Sequence, residues 1–181
     1  MDFDGLVDLY EKPIYNLVLR VFGDAEEAAD LTQETFVAAY KAWGSFRGDS
    51  TAYTWLYRIA VNLCKNKFRE RDRRRQYETV SLDETSDTGF ESSDPFGERV
   101  ADQSDTPDEV LQRKELRALI EQAIRQLPPD YRIVAVLRDL QGLSYSDIAE
   151  AADLSVDVVK TRLARARGML RRRLGPYLTD E

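Results

Sequence analysis

Apolar residues return every three or four positions along most of the chain, and nowhere do they alternate in the two-residue rhythm of a strand. Phe3, Val7, Tyr10, Ile14, Leu17, Val18 and Val21 form the first such stripe, and Gly23 closes that helix. Asp24, followed by Glu27 at cap spacing, opens a second helix that runs to about Trp43. On it Ala28, Leu31, Thr35, Ala39 and Ala42 lie on one side with Phe36 and Trp43 beside them, which marks the core side. Asp30, Gln33, Glu34, Val37 and Lys41 occupy the other, a mixed strip that suits either a solvated face or docking against a partner. A third helix starts near Asp49 or Ser50 and continues through YTWLYRIAVNLCKNKF into an arginine-rich run.

The rhythm then fails. Residues 76–108 combine Ser, Thr, Asp, Gly and Pro with few apolar positions, too few to offset the entropy of ordering, and read as a flexible linker. Helical spacing resumes at Glu109 with Leu116, Leu119, Ile120, Ala123, Ile124 and Leu127; Pro128-Pro129 breaks it, and DYRIVAVLRDLQG forms another helix ending at Gly142. Two further helices follow, with Ser144 and Asp147 at capping-box spacing, a turn at Leu154-Ser155 and Ser155 as the second cap. Gly175-Pro176 stops the last one and leaves a tail over 176–181. The predicted fold is all-α: two small helical domains, 1–75 and 109–175, joined by a flexible acidic linker.

Residues 144–167 have the form of a helix-turn-helix. At about 100° per residue, Val159, Leu163, Ala166 and Leu170 fall on one stripe, with Thr161, Arg165, Gly168 and Arg172 opposite and Lys160 and Ala164 on the flank. One face packs and the other is cationic. A helix entering a major groove reads base edges with its first turns, so Lys160, Thr161, Ala164 and Arg165 are the reading candidates.

A net charge of -7 argues against nucleic acid only if it is evenly spread. It is segregated: residues 47–75 carry Arg47, Arg58, Lys65, Lys67, Arg69, Arg71, Arg73, Arg74 and Arg75 against Asp49, Glu70 and Asp72, and 156–175 carry seven bases against Asp157 alone. Residues 76–110 hold eleven acids against Arg99. Two cationic surfaces therefore flank an anionic strip.

In the third helix Tyr53, Trp55, Tyr57 and Phe68 are interleaved with Arg58, Lys65, Lys67, Asn62 and Asn66, directly after the loop WGSFRGDS. Such a surface suits an unpaired strand, because stacking a base on an aromatic ring contributes about 1–3 kcal/mol, comparable to the few lost in unstacking a base-pair step. Asn62 and Asn66 then offer base-edge hydrogen bonds. Helical aromatics also fit a core, and Trp55 and Ile59 are assigned to packing. The loop residues Phe46, Arg47 and Asp49 are harder to explain that way.

Cys64 is the only cysteine and histidine is absent, which removes an internal disulfide, Cys/His zinc sites and the commonest acid-base group. No glycine loop cradles phosphate and no carboxylates cluster at metal-ligand spacing, so neither a metal, a cofactor nor a small-molecule substrate is expected, and an enzyme acting on nucleic acid is disfavoured. A lone Cys in an apolar helical stretch reads as a buried filler rather than a redox sensor. There is no bilayer-spanning run and MDFDGLVDLYEK is not a signal peptide, which predicts a cytoplasmic protein without membrane insertion.

DLTQETFVAAYKAW, FRGDSTAYTWLYRIAVNLCKNK and LPPDYRIVAVLRDLQGLSYSDIAEAADLSVDVVKTRLARAR, in that order, resemble an extracytoplasmic-function sigma factor of the bacterial sigma-70 family. The resemblance implies sigma region 2 in the amino-terminal lobe and region 4 in the carboxy-terminal one, and a non-catalytic protein that binds core RNA polymerase, directs it to promoter DNA, promotes transcription initiation and is held in check by an anti-sigma factor. It further implies that Asp30, Gln33, Glu34 and Val37 dock on the polymerase clamp. Phe46, Arg47, Asp49, Tyr53, Arg58, Asn62, Lys65 and Asn66 would serve the -10 element, and Lys160, Thr161, Ala164 and Arg165 the -35 element. By analogy the acidic linker would run through the polymerase toward the RNA exit path. The alternative reading is a stand-alone helix-turn-helix repressor or activator, although no dimerisation heptad is evident beyond the core helices.

Overall fold

The computed structural model describes residues 2–46, 48, 50–78 and 107–178. Arg47, Asp49, residues 79–106 of the expected linker and residues 179–181 lie outside the described residues. Seven helices and no strand occur among the described residues.

Helix α1 (Phe3–Phe22) starts on Asp2, whose carboxylate accepts from the Gly5 amide, and ends where Gly23 turns left-handed at φ 77° and its N–H donates to the Leu19 carbonyl at 2.7 Å. A Cβ at Gly23 would lie 2.5 Å from the Arg125 side chain, so glycine is required there by both conformation and approach. Helix α2 (Ala25–Trp43) is capped by Asp24, which accepts from the Glu27 amide at 2.8 Å. Helix α3 (Ala52–Glu78) begins later than the sequence predicts, because the Thr51 hydroxyl, rather than position 49 or 50, accepts from the Thr54 amide.

Helix α4 (Pro107–Arg125) starts inside the expected linker, with proline at its first position, where a missing N–H costs nothing. Its apolar stripe is buried only from Ala123 onward; Leu116 is exposed. Helix α5 (Pro129–Ala135) follows the diproline break and continues as a π-helical turn, Val136–Leu140. Helices α6 (Tyr145–Ala152) and α7 (Val156–Leu178) complete the chain. Contrary to expectation, Gly175-Pro176 does not stop α7: proline removes one backbone donor, and with only Tyr177 and Leu178 beyond it the helix keeps its direction.

The two lobes are packed, not merely tethered. Leu6, Leu17 and Val18 of α1, Leu56, Ala60 and Val61 of α3, and Ile148, Ala151 and Ala152 of α6 belong to one contiguous buried cluster. Phe22 stacks on Phe68 at 4.6 Å, with the Arg71 guanidinium over the first ring and that of Arg132 over the second. Arg132 also donates to the Leu127 carbonyl at 2.9 Å and, across the lobes, to the Val21 carbonyl at 2.8 Å. It thus satisfies acceptors at the carboxyl ends of α1 and α4, and its burial pulls its pKa down to about 10.

Replacing Arg132 by Met keeps the stem but strands both carbonyls, and should lower stability by about 2–3 kcal/mol, read as a shifted urea midpoint; an unchanged midpoint would show the fork to be dispensable. Burial pushes the Cys64 thiol up to about 12, with Glu27 adding to the effect. A thiol raised in the folded state contributes stability that is complete below its ordinary value near 9.0 and is lost as pH climbs toward about 12. Thiol reagents should therefore label Cys64 at neutral pH only after unfolding, and stability should decline across that alkaline window; prompt labelling of the folded chain would contradict the burial.

Candidate nucleic-acid interface

The helix-turn-helix is built by its caps. The Asp147 amide donates to Ser144 Oγ at 3.1 Å while the Ser144 hydroxyl donates to the Asp147 carboxylate at 2.5 Å, which fixes the start of α6. Asp153 ends that helix in the left-handed region at φ 55°, the Leu154 amide donates to the Ala149 carbonyl, and Ser155 Oγ accepts from Val158 to start α7. Val159, Leu163 and Ala166 are then buried, and Lys160, Thr161, Ala164 and Arg165 are exposed, as the projection predicts.

The arginines of α7 divide into two groups. Arg167 is held by both oxygens of Asp139 and Arg162 by Asp130 at 3.2 Å, so these two brace α7 against α5 and its π-helical turn. The hydrogen bond and charge of Asp139 raise the Arg167 pKa. Lys160 stands 3.9 Å from Asp157, and Arg165 reaches the Tyr131 hydroxyl at 3.4 Å, both weak and readily exchanged for a phosphate or a base edge. Thr161 turns its hydroxyl back to the Asp157 carbonyl at 2.9 Å. Tyr131 was missed by the sequence reading; an aromatic just after the diproline had only its position to flag it.

On α3 the stacking surface expected from the sequence is turned inward. Tyr57 and Phe68 are buried, because they lie on the stripe of Leu56, Ala60, Val61 and Cys64 that packs both lobes. Tyr53 is half-buried between Tyr10 and Tyr57, and burial raises its pKa. Phe46 is half-buried too, stacked on Trp43 at 5.6 Å and tilted against Trp55 at 5.0 Å, so packing does account for it. What α3 offers outward is polar. Arg58 pairs with Glu150 at 2.9 Å, Lys65 donates to the Ala152 carbonyl, and Asn62 lines a recess beside them. Desolvation lowers the Lys65 pKa, opposed by the charge of Asp130. Asn66 faces away, toward α2, where Arg69 donates to its side-chain oxygen.

Asp30, Gln33, Glu34 and Val37 are all exposed on α2. They form a strip between two grooves: Asp30 and Glu34 line one shared with α3, whereas Gln33 and Val37 line an apolar one of about 830 Å³ shared with Phe3, Val7 and Tyr15 of α1. Tyr40, 68% exposed, extends that strip. The sequence reading omitted it, although Gln33, Val37 and Tyr40 recur at helical spacing.

Lys65 and Arg69 of α3 face Thr161 and Arg165 of α7 across one cleft of about 890 Å³. Among the described residues no group of three or more His, Cys, Asp or Glu is placed to hold a metal ion, and no helix is long and apolar enough to cross a membrane.

The family described as Sigma-70 region 2 matches residues 6–74, and Sigma-70, region 4 matches residues 117–170. The chain is 41% identical to the RNA polymerase sigma-H factor of Pseudomonas aeruginosa, over 98% of this chain and 89% of that one. It is 36% identical to the ECF RNA polymerase sigma-E factor of Haemophilus influenzae, over 97% and 89%. Its fold matches that of the sigma factor RpoE solved in complex with the anti-sigma factor NepR from Bartonella quintana, with a TM-score of 0.71 at 22% identity over 99% of each chain. Two helical lobes in region 2 to region 4 order, each with its matching family, make the chain a member of the extracytoplasmic-function sigma factors of the sigma-70 family.

Proposed function

We propose that this sigma factor binds core RNA polymerase through the α2 strip, directs it to promoters through α3 and α7, and works in the cytoplasm as a non-catalytic initiation factor under anti-sigma control. The domains fall at 1–75 and 109–175. The observation that carries the DNA assignment is the division of labour on α7, where Arg162 and Arg167 are braced by Asp130 and Asp139 while Lys160 and Arg165 keep only long contacts. A positioned helix with free cationic reach meets the requirement for major-groove reading. Asp30, Gln33, Glu34 and Val37 supply a polar strip with an apolar edge for the polymerase clamp. Phe46, Arg47, Asp49, Tyr53, Arg58, Asn62, Lys65 and Asn66 serve the -10 element, with the two asparagines reading unpaired bases and the cations holding phosphates. Lys160, Thr161, Ala164 and Arg165 serve the -35 element as duplex. No cofactor takes part in this scheme.

Transcription by core polymerase over a genomic template library should become start-site selective when the chain is added; no gain in selectivity overturns the reading, and tight specific duplex binding by the free chain would favour a stand-alone regulator. Arg165→Ala should relax preference at one -35 position by about 1–3 kcal/mol, roughly 5- to 150-fold. Replacing Asn62 and Asn66 by Ala should instead slow strand opening, followed by permanganate reactivity of unpaired thymines, with -35 recognition intact. Val37→Glu should weaken core binding by about tenfold or more while leaving the fold unchanged, because the side chain is already exposed.

A further inference from the structure

Cations from two facing helices converge on one recess. Lys65 and Arg69 of α3 and Arg162 and Arg165 of α7 line the cleft of about 890 Å³, within the range of about 300–1,000 Å³ usual for small-molecule sites. The acids on its wall do not cancel them. Asp130 is taken up by Arg162 at 3.2 Å, and the Asp157 side chain, 94% exposed, stands beside Lys160. Lys65, Arg69 and Arg165 are left facing only Asp72, which is exposed. Each has donors to spare: Arg69 makes one bond of 3.3 Å to Asn66, Arg165 one of 3.4 Å to the Tyr131 hydroxyl, and Lys65 gives the Ala152 carbonyl one of its three protons. The Tyr131 hydroxyl accepts from Arg165 and keeps its own proton to donate. Phe68, Ile133 and Leu154 give the cleft an apolar wall, which strengthens the field inside it. Desolvation lowers the Lys65 pKa and the charges of Arg162 and Arg69 push the same way, against Asp130 and Asp153; an anion in the cleft relieves that crowding.

We propose that this cleft binds a short oligophosphate, two or three linked phosphates alone or on a nucleoside, held by Lys65, Arg69 and Arg165 with the Tyr131 hydroxyl donating to it. Two guanidinium forks and an ammonium supply the charge-assisted bonds that phosphate oxygens accept. Convergence selects the ligand. A nucleic-acid backbone spreads its charges along a line, whereas cations brought together from opposite walls of one recess match charge concentrated in a compact group.

The test is calorimetric titration of the full chain at about 0.15 M ionic strength, where charges more than about 8 Å apart are screened. Inorganic tripolyphosphate and GTP should each bind in a one-to-one ratio, and orthophosphate at least about tenfold more weakly. GTP binding no tighter than tripolyphosphate assigns the phosphate chain as the whole ligand; GTP binding about threefold or more tightly assigns a nucleoside carrier with its base on the apolar wall. Arg69→Gln and Arg73→Gln remove the same charge from exposed positions of α3 one turn apart, but Arg69 lines the cleft and Arg73 the groove beside α2. Arg69→Gln should weaken tripolyphosphate binding about tenfold and Arg73→Gln less than about twofold. Tyr131→Phe should weaken it about two- to fivefold by removing one donor, with an unchanged melting temperature. Absence of saturable heat, a ratio well above one, or equal losses in the two arginine variants overturns the site. The readout involves neither polymerase nor promoter, so its failure leaves the sigma reading untouched.

Discussion

Helix α3 must bury an apolar face too wide for a single neighbour, and the arrangement of everything else follows from that. Leu56, Tyr57, Ala60, Val61, Cys64 and Phe68 sweep around more than one side of the helix. One flank packs on α1 and α2 and the other receives α6. A fully buried large apolar side chain contributes about 1.5–3 kcal/mol, so leaving either flank wet would remove a large part of a domain's net stability. The amino-terminal lobe is thus completed by the carboxy-terminal one, and the chain forms one contiguous core across lobes that the sequence separates by an acidic segment.

Charge is sorted by the same geometry. Glu27, nearly buried, gathers Lys67 and Arg71 and so anchors the arginine-rich end of α3 to α2. Asp130 and Asp139 do the corresponding work for α7. Cations that meet such carboxylates brace helices; those that meet only a backbone carbonyl, a phenol or a distant carboxylate remain available to an external anion. A net-negative chain therefore presents basic surfaces only where its own acids are out of reach.

The helices and their caps were legible because local rules set them: Asp24, Ser144 and Ser155 accept the amides their positions predict, and Gly23 takes the left-handed turn. The exposed face of α7 was legible for the same reason, since a period of 3.6 fixes which residues oppose Val159 and Leu163. The surface of α3 was not. Interleaved aromatic and basic residues satisfy both a stacking platform and a two-sided core, and only packing against the other helices, a tertiary event with no local signal, covers Tyr57 and Phe68, the latter with Phe22 and Arg132. Tertiary packing likewise covers Phe46, against Trp43 and Trp55, and sets Arg132, inside an unremarkable LPPDYR stretch, to bridge two helix ends.

The two sides of α3 differ in the size of the side chains that cover them. Within the amino-terminal lobe the buried contacts are made by Leu6, Ile14, Leu17, Val18 and Leu56, whereas the buried residues α6 brings to the seam are Ala149, Ala151 and Ala152, with Ile148 the one large exception. Alanines let backbones approach closely, which is how Lys65 reaches the Ala152 carbonyl, but each removes little apolar area from water. Such a seam owes much of its hold to polar contacts: Arg58 to Glu150, Tyr57 to Gln141, Arg132 to the Val21 carbonyl. Polar contacts exchange readily for equivalent ones with water, polymerase or phosphate, while the leucine-rich interior of each lobe has no comparable substitute. The α6 side of α3 is thus held less by apolar burial and more by exchangeable polar contacts than the side that packs on α1 and α2.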